Sequence, residues 1–435
     1  MSLIEKAKEI ANELCVGKLE KTITSKAHSH HTVTYPEMSS ASIISEEEIF
    51  KENDNGKELA LYLHIPFCTG KCSYCSYITF SNKSIGDIEK YLEELSKEVK
   101  LVSNKKEVKE SVIKWVYIGG GTPTYLSQKQ TDNLLKSIKD NFDISNVLEF
   151  TFEVSPETIN EEKLDILIEN NVNRLSVGTQ SFDNNILKYI NRRHTSEETI
   201  KAIELIKRRI ESINLDLIIG LPMQSLDVLE NDLLEATRYK IPSITTYPLT
   251  LKPNTVLFRQ YQRYPSLLPN SKDLLHMHIM IMEYFKERGY KEYPVWWHIK
   301  SDDFVYKQQI HKWENNGNLI ALGVAGYSYF SGVQYYNYRN LKDYFNSIDK
   351  NKLPILKGDK QDIKEQAKRN LIFGIKCKID RELFNNKYGF YPETDFKEVF
   401  DYLQEKELIN YSNNIISLTY KGKLFAEEIS RMFID

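Results

Sequence analysis

The chain has 435 residues, 41% of them hydrophobic, so it is long enough to form one large globular domain or several ordinary ones. Its formal net charge is only −3, with acidic and basic residues mixed along the whole length, which argues against nucleic acid or an anionic membrane as a partner. No apolar run approaches the length of a membrane span and the N-terminus lacks a signal-peptide pattern, so we expect a cytoplasmic protein without a membrane partner.

Residues 1–57 differ in pattern from the rest of the chain. Their first residues alternate apolar and polar side chains with helical spacing, which predicts an amphipathic helix. A polar stretch follows, and we expect it to wrap around the protein as an arm. The letters HSHH in this stretch, residues 28–31, favour surface or lid histidines over a metal site.

Residues 58–260 alternate short apolar runs with segments of helical period. The runs ELALYLHI, WVYIGG, LEFTFEV, RLSVGT, NLDLIIG and SITTYPLT predict six strands. Such alternation is typical of parallel strands joined by right-handed crossovers. Six units favour an α/β fold with a partial (β/α)6 barrel over a flat doubly wound sheet. In either architecture the functional site lies at the carboxyl ends of the strands.

Two further regions follow the predicted barrel. Residues 261–358 begin with a helical pattern and continue with the aromatic stretches YPVWW and AGYSYF, which predict a substrate-region extension. His298 and His311 fall in this region, where packed or surface histidines are commoner than ligands. Residues 359–435 predict helix, helix, hairpin and helix, a mainly helical, winged-helix-like appendage. Because no basic face clusters there, we expect a lid or buttress and not a DNA reader.

Three of the five cysteines lie close together, directly after the first predicted strand. Cys68, Cys72 and Cys75 have the spacing CxxxCxxC. Thiolates are soft ligands that select iron–sulfur clusters or zinc. Neither Cys15 nor Cys377 lies in a motif that supplies a fourth ligand, so three thiolates on a four-iron cluster would leave one iron open to a small molecule. On spacing alone, a zinc site and structural thiols remain alternatives.

The segment YLHIPFCTGKCSYC, residues 62–75, resembles the signature of the radical S-adenosylmethionine (SAM) superfamily, in particular its oxygen-independent coproporphyrinogen III oxidase-like branch. The resemblance implies that the three cysteines hold a [4Fe-4S] cluster whose open iron binds SAM. Electron transfer from the cluster would then cleave SAM to a 5'-deoxyadenosyl radical. The resemblance also implies an electron donor such as a flavodoxin or a ferredoxin.

Later strand ends resemble the SAM-binding motifs of this family. VYIGGGTPTYL resembles the element that binds the SAM amino group, and its glycines let the backbone approach a ligand closely. The polar residues of FTFEVSPETI, SVGTQSFDNNILKYINRRHT and NLDLIIGLP can bind ribose hydroxyls and the SAM carboxylate, although each alone could equally cap a strand or helix. The residues expected to bind the cofactor are Tyr62, Gly120, Gly121, Thr122, Glu153, Gln180, Arg192 and Asp216.

The resemblance leaves three functions open. Coproporphyrinogen III oxidases carry a further cysteine two residues after the third, a position held here by Tyr77. Haem-binding chaperones of the branch carry a His-Asn-x-x-Tyr-Trp motif, of which IHKWENN is only a distant echo. By elimination we favour a methyltransferase that binds two SAM molecules and adds a methylene group to an sp2 carbon of a conjugated or heteroaromatic small molecule. A porphyrin- or haem-modifying enzyme and a haem chaperone are the alternatives.

Overall fold

The computed structural model covers most of the chain, with gaps near the N-terminus. Cys15 and the histidines of the HSHH segment lie outside the described residues. Beyond that first gap, Ser42 pairs with Gly358 at the edge of the large sheet. The structure describes residues 1–14, 34–51, 57–81 and 83–434. Within these ranges, no helix combines the length and the apolar composition that a membrane crossing needs.

The described residues form seventeen strands, and twelve of them make one large mixed sheet in the order β14-β13-β12-β11-β1-β4-β5-β6-β7-β8-β10-β9. In chain order the strands are β1 (Glu58–Ile65), β2 (Phe67–Cys68), β3 (Phe80–Ser81), β4 (Val112–Gly120), β5 (Glu149–Val154), β6 (Arg174–Gln180), β7 (Ser212–Ile219), β8 (Ser243–Pro248), β9 (Lys291–Glu292), β10 (Trp297–Ile299), β11 (Asn318–Leu322), β12 (Tyr327–Phe330), β13 (Val333–Asn337), β14 (Ile355–Lys360), β15 (Ile379–Asp380), β16 (Ile409–Ser412) and β17 (Ile415–Leu418).

The predicted partial barrel is confirmed. Strands β1, β4, β5, β6, β7 and β8 are neighbours in that order and all run parallel, and they correspond to the six predicted apolar runs. At least one helix lies in each connection between them, as right-handed crossovers require. The sheet begins with β14 and ends with β9, so the barrel is open.

Alternation along the strands separates two packing faces. On β1, Leu59, Leu61 and Leu63 belong to the main hydrophobic core, whereas Ala60 and Tyr62 belong to a small cluster on the opposite face. The main core lies between the sheet and the helices that pack on it. The α-helices of the described residues are Leu3–Glu13, Glu46–Ile49, Ile85–Ser103, Lys106–Lys109, Gln128–Asn141, Glu161–Glu169, Asn184–Tyr189, Ser196–Lys207, Leu226–Arg238, Val256–Arg263, Ser271–Glu287, Lys307–Trp313, Leu341–Ile348, Ile363–Gly374, Arg381–Tyr388, Pro392–Asp395, Lys397–Glu405, Tyr420–Leu424 and Ala426–Arg431.

The region after the barrel extends the same sheet at both ends. Strand β11 pairs parallel to β1 on its free side, and β12, β13 and β14 continue antiparallel from there. At the other end β10 and β9 pair antiparallel beyond β8. The sequence did not predict these strands, because they are short and β11 and β13 are buried at every position, which removes the period of two. His298 stacks on Phe285 and His311 stacks on Trp115, so both are packed histidines.

The C-terminal region forms a second core of its own. Strands β15, β17 and β16 make a small antiparallel sheet among the last helices. The predicted hairpin is β16–β17, but four helices and β15 precede it where two helices were expected, and two short helices follow it where one was expected. Buried Lys376 donates to Glu427 at 2.8 Å and its ammonium lies 4.4 Å from the ring of Trp313. The division of the chain at residues 57, 260 and 358 stays a prediction.

A buried carboxylate connects the first barrel helix to the sheet extension. Glu98, on helix Ile85–Ser103, accepts hydrogen bonds from the Gly323 N–H at 2.7 Å, Asn337 Nδ2 at 2.8 Å and the Tyr344 hydroxyl at 2.6 Å. Its side chain is buried, and burial raises its pKa to about 7 in spite of these three donors. The segment after β11 is therefore held against the barrel by a group that titrates near neutral pH.

We expect Glu98 to make the stability of the fold depend on pH. Its folded-state pKa is above the ordinary value of 4.5, so its favourable contribution is complete below that value and is lost as the pH rises through about 7. The difference between the two pKa values corresponds to roughly 3 kcal/mol in the free energy of unfolding. Glu98→Gln removes the titrating group, so only wild type loses this contribution as the pH rises. The melting temperature of the variant minus that of wild type should therefore increase between about pH 5 and about pH 8.

Glu93→Gln on the exposed side of the same helix is the matched control, because its ion pair with Lys97 is solvent-exposed. Scanning calorimetry across this pH range measures the difference. If the melting temperatures of Glu98→Gln and wild type changed with pH in parallel, Glu98 would not be the group responsible for the pH dependence.

Candidate active site at the carboxyl ends of the strands

The cysteine loop is tied to the glycine turn that follows β4. The Gly121 N–H donates to the Ile65 carbonyl at 2.8 Å, and the Thr122 N–H donates to the Phe67 carbonyl at 2.7 Å. A Cβ at Gly121 would lie 2.6 Å from the Phe67 carbonyl oxygen and 2.9 Å from Cys68 Sγ. Only glycine fits there, so the predicted glycine motif is what allows the loop to cross the strand end.

The three thiols of the loop face one another in a partly buried position. Cys68, Cys72 and Cys75 are unpaired, and their thiolates would interact electrostatically. Burial raises the pKa of Cys68 and raises that of Cys75 to about 11. Thiolates here therefore need positive charge beside them, which iron supplies.

The donor set fits an iron–sulfur cluster, because three thiolates in one short loop are the soft ligands that such clusters take. Cys68, Cys72 and Cys75 would hold such a cluster, which when bound supplies the electron that cleaves SAM.

Arg192 lies between the cysteine loop and the strand ends. Its guanidinium is 3.7 Å from Cys72 Sγ and donates to the Gly178 carbonyl at 2.6 Å and to Ser155 Oγ at 3.3 Å. The preceding residues support the loop as well, since Asn191 Nδ2 donates to the Lys71 carbonyl at 2.8 Å. The structure thus places the predicted Arg192 beside the thiols, where it can also reach an anionic group.

Glu153 faces the glycine turn from the next strand. It accepts hydrogen bonds from the Tyr117 hydroxyl at 2.7 Å and the Gly120 N–H at 3.0 Å. Burial raises its pKa to about 7, and the nearby carboxylate of Asp216 adds to the shift. A carboxylate in this position gains from a cationic partner, so the geometry fits an ammonium group such as that of SAM.

Gln180 and Asp216 lie on the two following strands. The ladder between β6 and β7 is irregular just before Gln180, whose backbone has a φ of 70°, so this bulge aims the side chain inward. Its amide oxygen accepts from the Tyr247 hydroxyl at 3.2 Å. Asp216 lies deeper and accepts from Ser176 Oγ and Asn214 Nδ2, both at 2.9 Å. Burial raises the pKa of Asp216.

A buried residue that the sequence did not single out holds these strand ends together. Asp232 accepts from the Ser181 hydroxyl at 3.0 Å, the Phe182 N–H at 2.6 Å and Gln224 Nε2 at 3.2 Å. The amide oxygen of Gln224 in turn accepts from the Gly220 N–H at 2.8 Å. The loops after β6 and β7 are thus fixed to the same helix, and no local motif marks Asp232 in the sequence.

Six tyrosines lie around the residues expected to bind the cofactor, and we call this group the tyrosine chamber. The rings of Tyr62 and Tyr117 stack at 5.8 Å, and Tyr306 lies 5.7 Å from Tyr117. Tyr77, two residues after Cys75, is 58% exposed. The chamber is defined by Tyr62, Tyr77, Tyr117, Tyr247, Tyr306 and Tyr327.

Side chains alternate between the two faces of a strand, and this alternation could have predicted that Tyr117 lies near the motif. Tyr117 lies two residues before Gly119, and Ser176 lies two residues before Gly178, so each shares a strand face with the predicted motif. Tyr306 directly precedes helix Lys307–Trp313, Tyr327 begins β12, and neither had such a signal. Their placement depends on tertiary contacts.

Comparison with known proteins agrees with this site. The Radical SAM superfamily profile matches residues 62–236. "Heme chaperone HemW" of Buchnera aphidicola subsp. Schizaphis graminum is 30% identical over 87% of this chain and 98% of that protein. The oxygen-independent coproporphyrinogen III oxidase of Pseudomonas aeruginosa is 27% identical, over 87% of this chain and 86% of the oxidase.

A solved structure shows the same fold. Coproporphyrinogen III oxidase (HemN) from Escherichia coli superimposes with a TM-score of 0.81 over 93% of this chain and 96% of that protein, at 23% identity. The family implies that a [4Fe-4S] cluster and SAM are the cofactors, as expected from the cysteine loop. The chain belongs to the radical SAM superfamily, in the coproporphyrinogen III oxidase-like branch of HemN and HemW.

Proposed function

We propose that this chain is a radical SAM protein that binds haem as its cargo and cleaves SAM, in the manner of a haem chaperone. The observation that carries the proposal is its 30% identity to a protein named haem chaperone over 98% of that protein's length. The neighbouring rings of Tyr62, Tyr117 and Tyr306 offer aromatic surface of the kind that a flat, conjugated macrocycle packs against. The chain has all three cysteines of the family motif, Cys68, Cys72 and Cys75, which supports SAM cleavage as part of its function.

The residue two positions after the third cysteine argues against a coproporphyrinogen oxidase. It is Tyr77, where the oxidases of the family carry a further cysteine. The identity to an oxidase is also lower, at 27%. Oxidase activity is therefore the second candidate, and a direct product assay distinguishes it.

The methyltransferase that the sequence favoured by elimination has no support among these relatives, which are named haem chaperone and coproporphyrinogen III oxidase. A second SAM molecule belongs to that interpretation and stays a prediction. So does the physiological reductant, a flavodoxin or a ferredoxin.

We expect the reconstituted protein to bind haem and, with SAM and a low-potential reductant, to release 5'-deoxyadenosine. Anaerobic absorbance titration with haem and mass spectrometry of the products measure both. Decarboxylation of added coproporphyrinogen III would indicate the oxidase instead. Formation of S-adenosylhomocysteine together with 5'-deoxyadenosine would indicate the methyltransferase, and failure to bind haem would contradict the proposal.

Replacing Cys72 with Ala should separate cluster chemistry from haem binding. The variant loses one of three thiolates, so we expect no stable cluster and no SAM cleavage, with haem affinity within about threefold of wild type. Iron analysis, electron paramagnetic resonance and haem titration test this. Cys377→Ala is the matched control, since that thiol is buried in the C-terminal core. Haem binding that disappears with the cluster would place haem on the cluster loop.

Glu153 should make SAM binding depend on pH. Its pKa of about 7 means that much of it is protonated at neutral pH, and only the carboxylate can pair with the SAM ammonium. SAM affinity should rise as the pH approaches about 7 from below. In Glu153→Gln affinity should fall about tenfold or more, and this pH dependence should flatten.

Isothermal titration with SAM at several pH values measures the effect in cluster-loaded protein. Glu161→Gln, on the exposed start of helix Glu161–Glu169, is the control. An unchanged slope in Glu153→Gln would exclude Glu153 as the group that titrates.

A further inference from the structure

Three separate parts of the chain hold the Arg192 guanidinium. It lies 3.7 Å from Cys72 Sγ in the cysteine loop, donates to Ser155 Oγ at 3.3 Å just after β5, and donates to the Gly178 carbonyl at 2.6 Å on β6. None of these three partners is a carboxylate. A partly buried guanidinium gains from a negative charge close by, because the surrounding protein screens charge less than water does.

Glu157 contacts the same three parts of the chain. Its Oε2 accepts a hydrogen bond from Ser155 Oγ at 2.6 Å, and its Oε1 lies 3.5 Å from Thr69 Oγ1 in the cysteine loop. Its Oε2 is also 3.7 Å from His194 Nδ1, and His194 Nε2 donates to the Thr179 carbonyl of β6 at 3.2 Å. Glu157 and Arg192 therefore bind to one frame from two sides, with Ser155 between them.

The Ser155 hydroxyl transmits the effect of Glu157 to Arg192. A serine hydroxyl has one hydrogen, and Ser155 donates it to Glu157, so its oxygen lone pairs are left to accept from Arg192. Burial alone would raise the pKa of Glu157, but the His194 ring, the Ser155 hydroxyl and the charge of Arg192 lower it to about 2. Glu157 is therefore an anion at neutral pH, and it fixes the orientation of the hydroxyl that accepts from the guanidinium.

The turn that carries Glu157 is fixed by other groups. Thr124 Oγ1 lies 2.6 Å from Thr158 Oγ1 and accepts from the Ser155 N–H at 3.1 Å. Lys163 Nζ donates to the Thr158 carbonyl at 2.9 Å. These contacts hold the backbone of the turn without the carboxylate, so a substitution of Glu157 should leave the turn folded.

We infer that Glu157 is a positioning residue, which acts through Ser155 to hold the Arg192 guanidinium beside Cys72. The inference rests on the SAM-cleaving part of the proposed function. Arg192 touches a thiol of the cysteine loop and is also expected to bind SAM. Loss of Glu157 should therefore alter the surroundings of the SAM-free cluster and weaken SAM binding.

The test uses full-length, cluster-loaded protein under anaerobic conditions. Electron paramagnetic resonance of the reduced cluster without SAM reports the contact at Cys72, and isothermal titration measures SAM affinity. In Glu157→Gln we expect the spectrum to change towards that of Arg192→Gln and SAM affinity to fall about tenfold. Glu157→Asp keeps the charge and should restore affinity to within about threefold of wild type. Glu162→Gln, at the exposed start of helix Glu161–Glu169, is the matched control and should behave as wild type.

Two further variants separate positioning from a general loss of structure. Ser155→Ala keeps both charges and removes the bridging hydroxyl, so both measurements should change in the same direction even if Glu157→Gln fails to fold. In the double variant of Glu157→Gln with Arg192→Gln, SAM affinity should stay within about threefold of Arg192→Gln alone, because Glu157 acts through the missing guanidinium.

Three outcomes would overturn the inference. Losses of SAM affinity that add in the double variant would show that Glu157 acts independently of Arg192. A wild-type spectrum together with unchanged or higher SAM affinity in Glu157→Gln and Ser155→Ala would exclude the positioning role and leave the proposed function in place. A wild-type protein that binds no SAM would overturn the proposed SAM cleavage, and this inference with it.

Discussion

The contact between the cysteine loop and the glycine turn after β4 is the constraint on which the site depends. Two backbone hydrogen bonds join the turn to the residues just before the thiols, and Gly121 leaves no space for a side chain between them. The thiols, the turn and Glu153 are therefore positioned as one unit, since Glu153 also accepts from the Gly120 N–H. Parallel strands bring the other polar groups to the same edge.

Buried carboxylates divide into two groups by how completely they are satisfied. Glu98 connects the barrel to the segment after β11, whereas Asp232 joins the loops after β6 and β7 within the barrel. Glu153 and Asp216 accept hydrogen bonds from neighbouring strands. The first pair joins distant parts of the fold, and the second pair is predicted to bind the cofactor. Hydrogen bonds offset the cost of burying the charge in both pairs.

The strands after the barrel decide what the chamber can hold. Strand β11 pairs with β1, and this pairing brings Tyr327 close to Tyr62 although they are far apart in sequence. The Tyr306 ring lies 5.7 Å from that of Tyr117 in a tilted arrangement, with the Arg174 guanidinium 4.5 Å from its ring centroid. The residues predicted to bind SAM and the tyrosines of the sheet extension therefore lie on different parts of one sheet. A shared fold of this kind is compatible with more than one function.

Sequence alone determined the six strand–helix units, the cysteine loop and the glycine turn, because each depends on local period or on spacing within a few residues. The roles of Glu153, Gln180, Arg192 and Asp216 as cofactor ligands stay predictions, although the structure places all four at one end of the barrel. Tertiary structure alone decided the extension of the sheet, the Asp232 network and the positions of Tyr306 and Tyr327. These contacts join residues far apart in the chain, and short strands without alternation leave no periodic signal to predict their pairing.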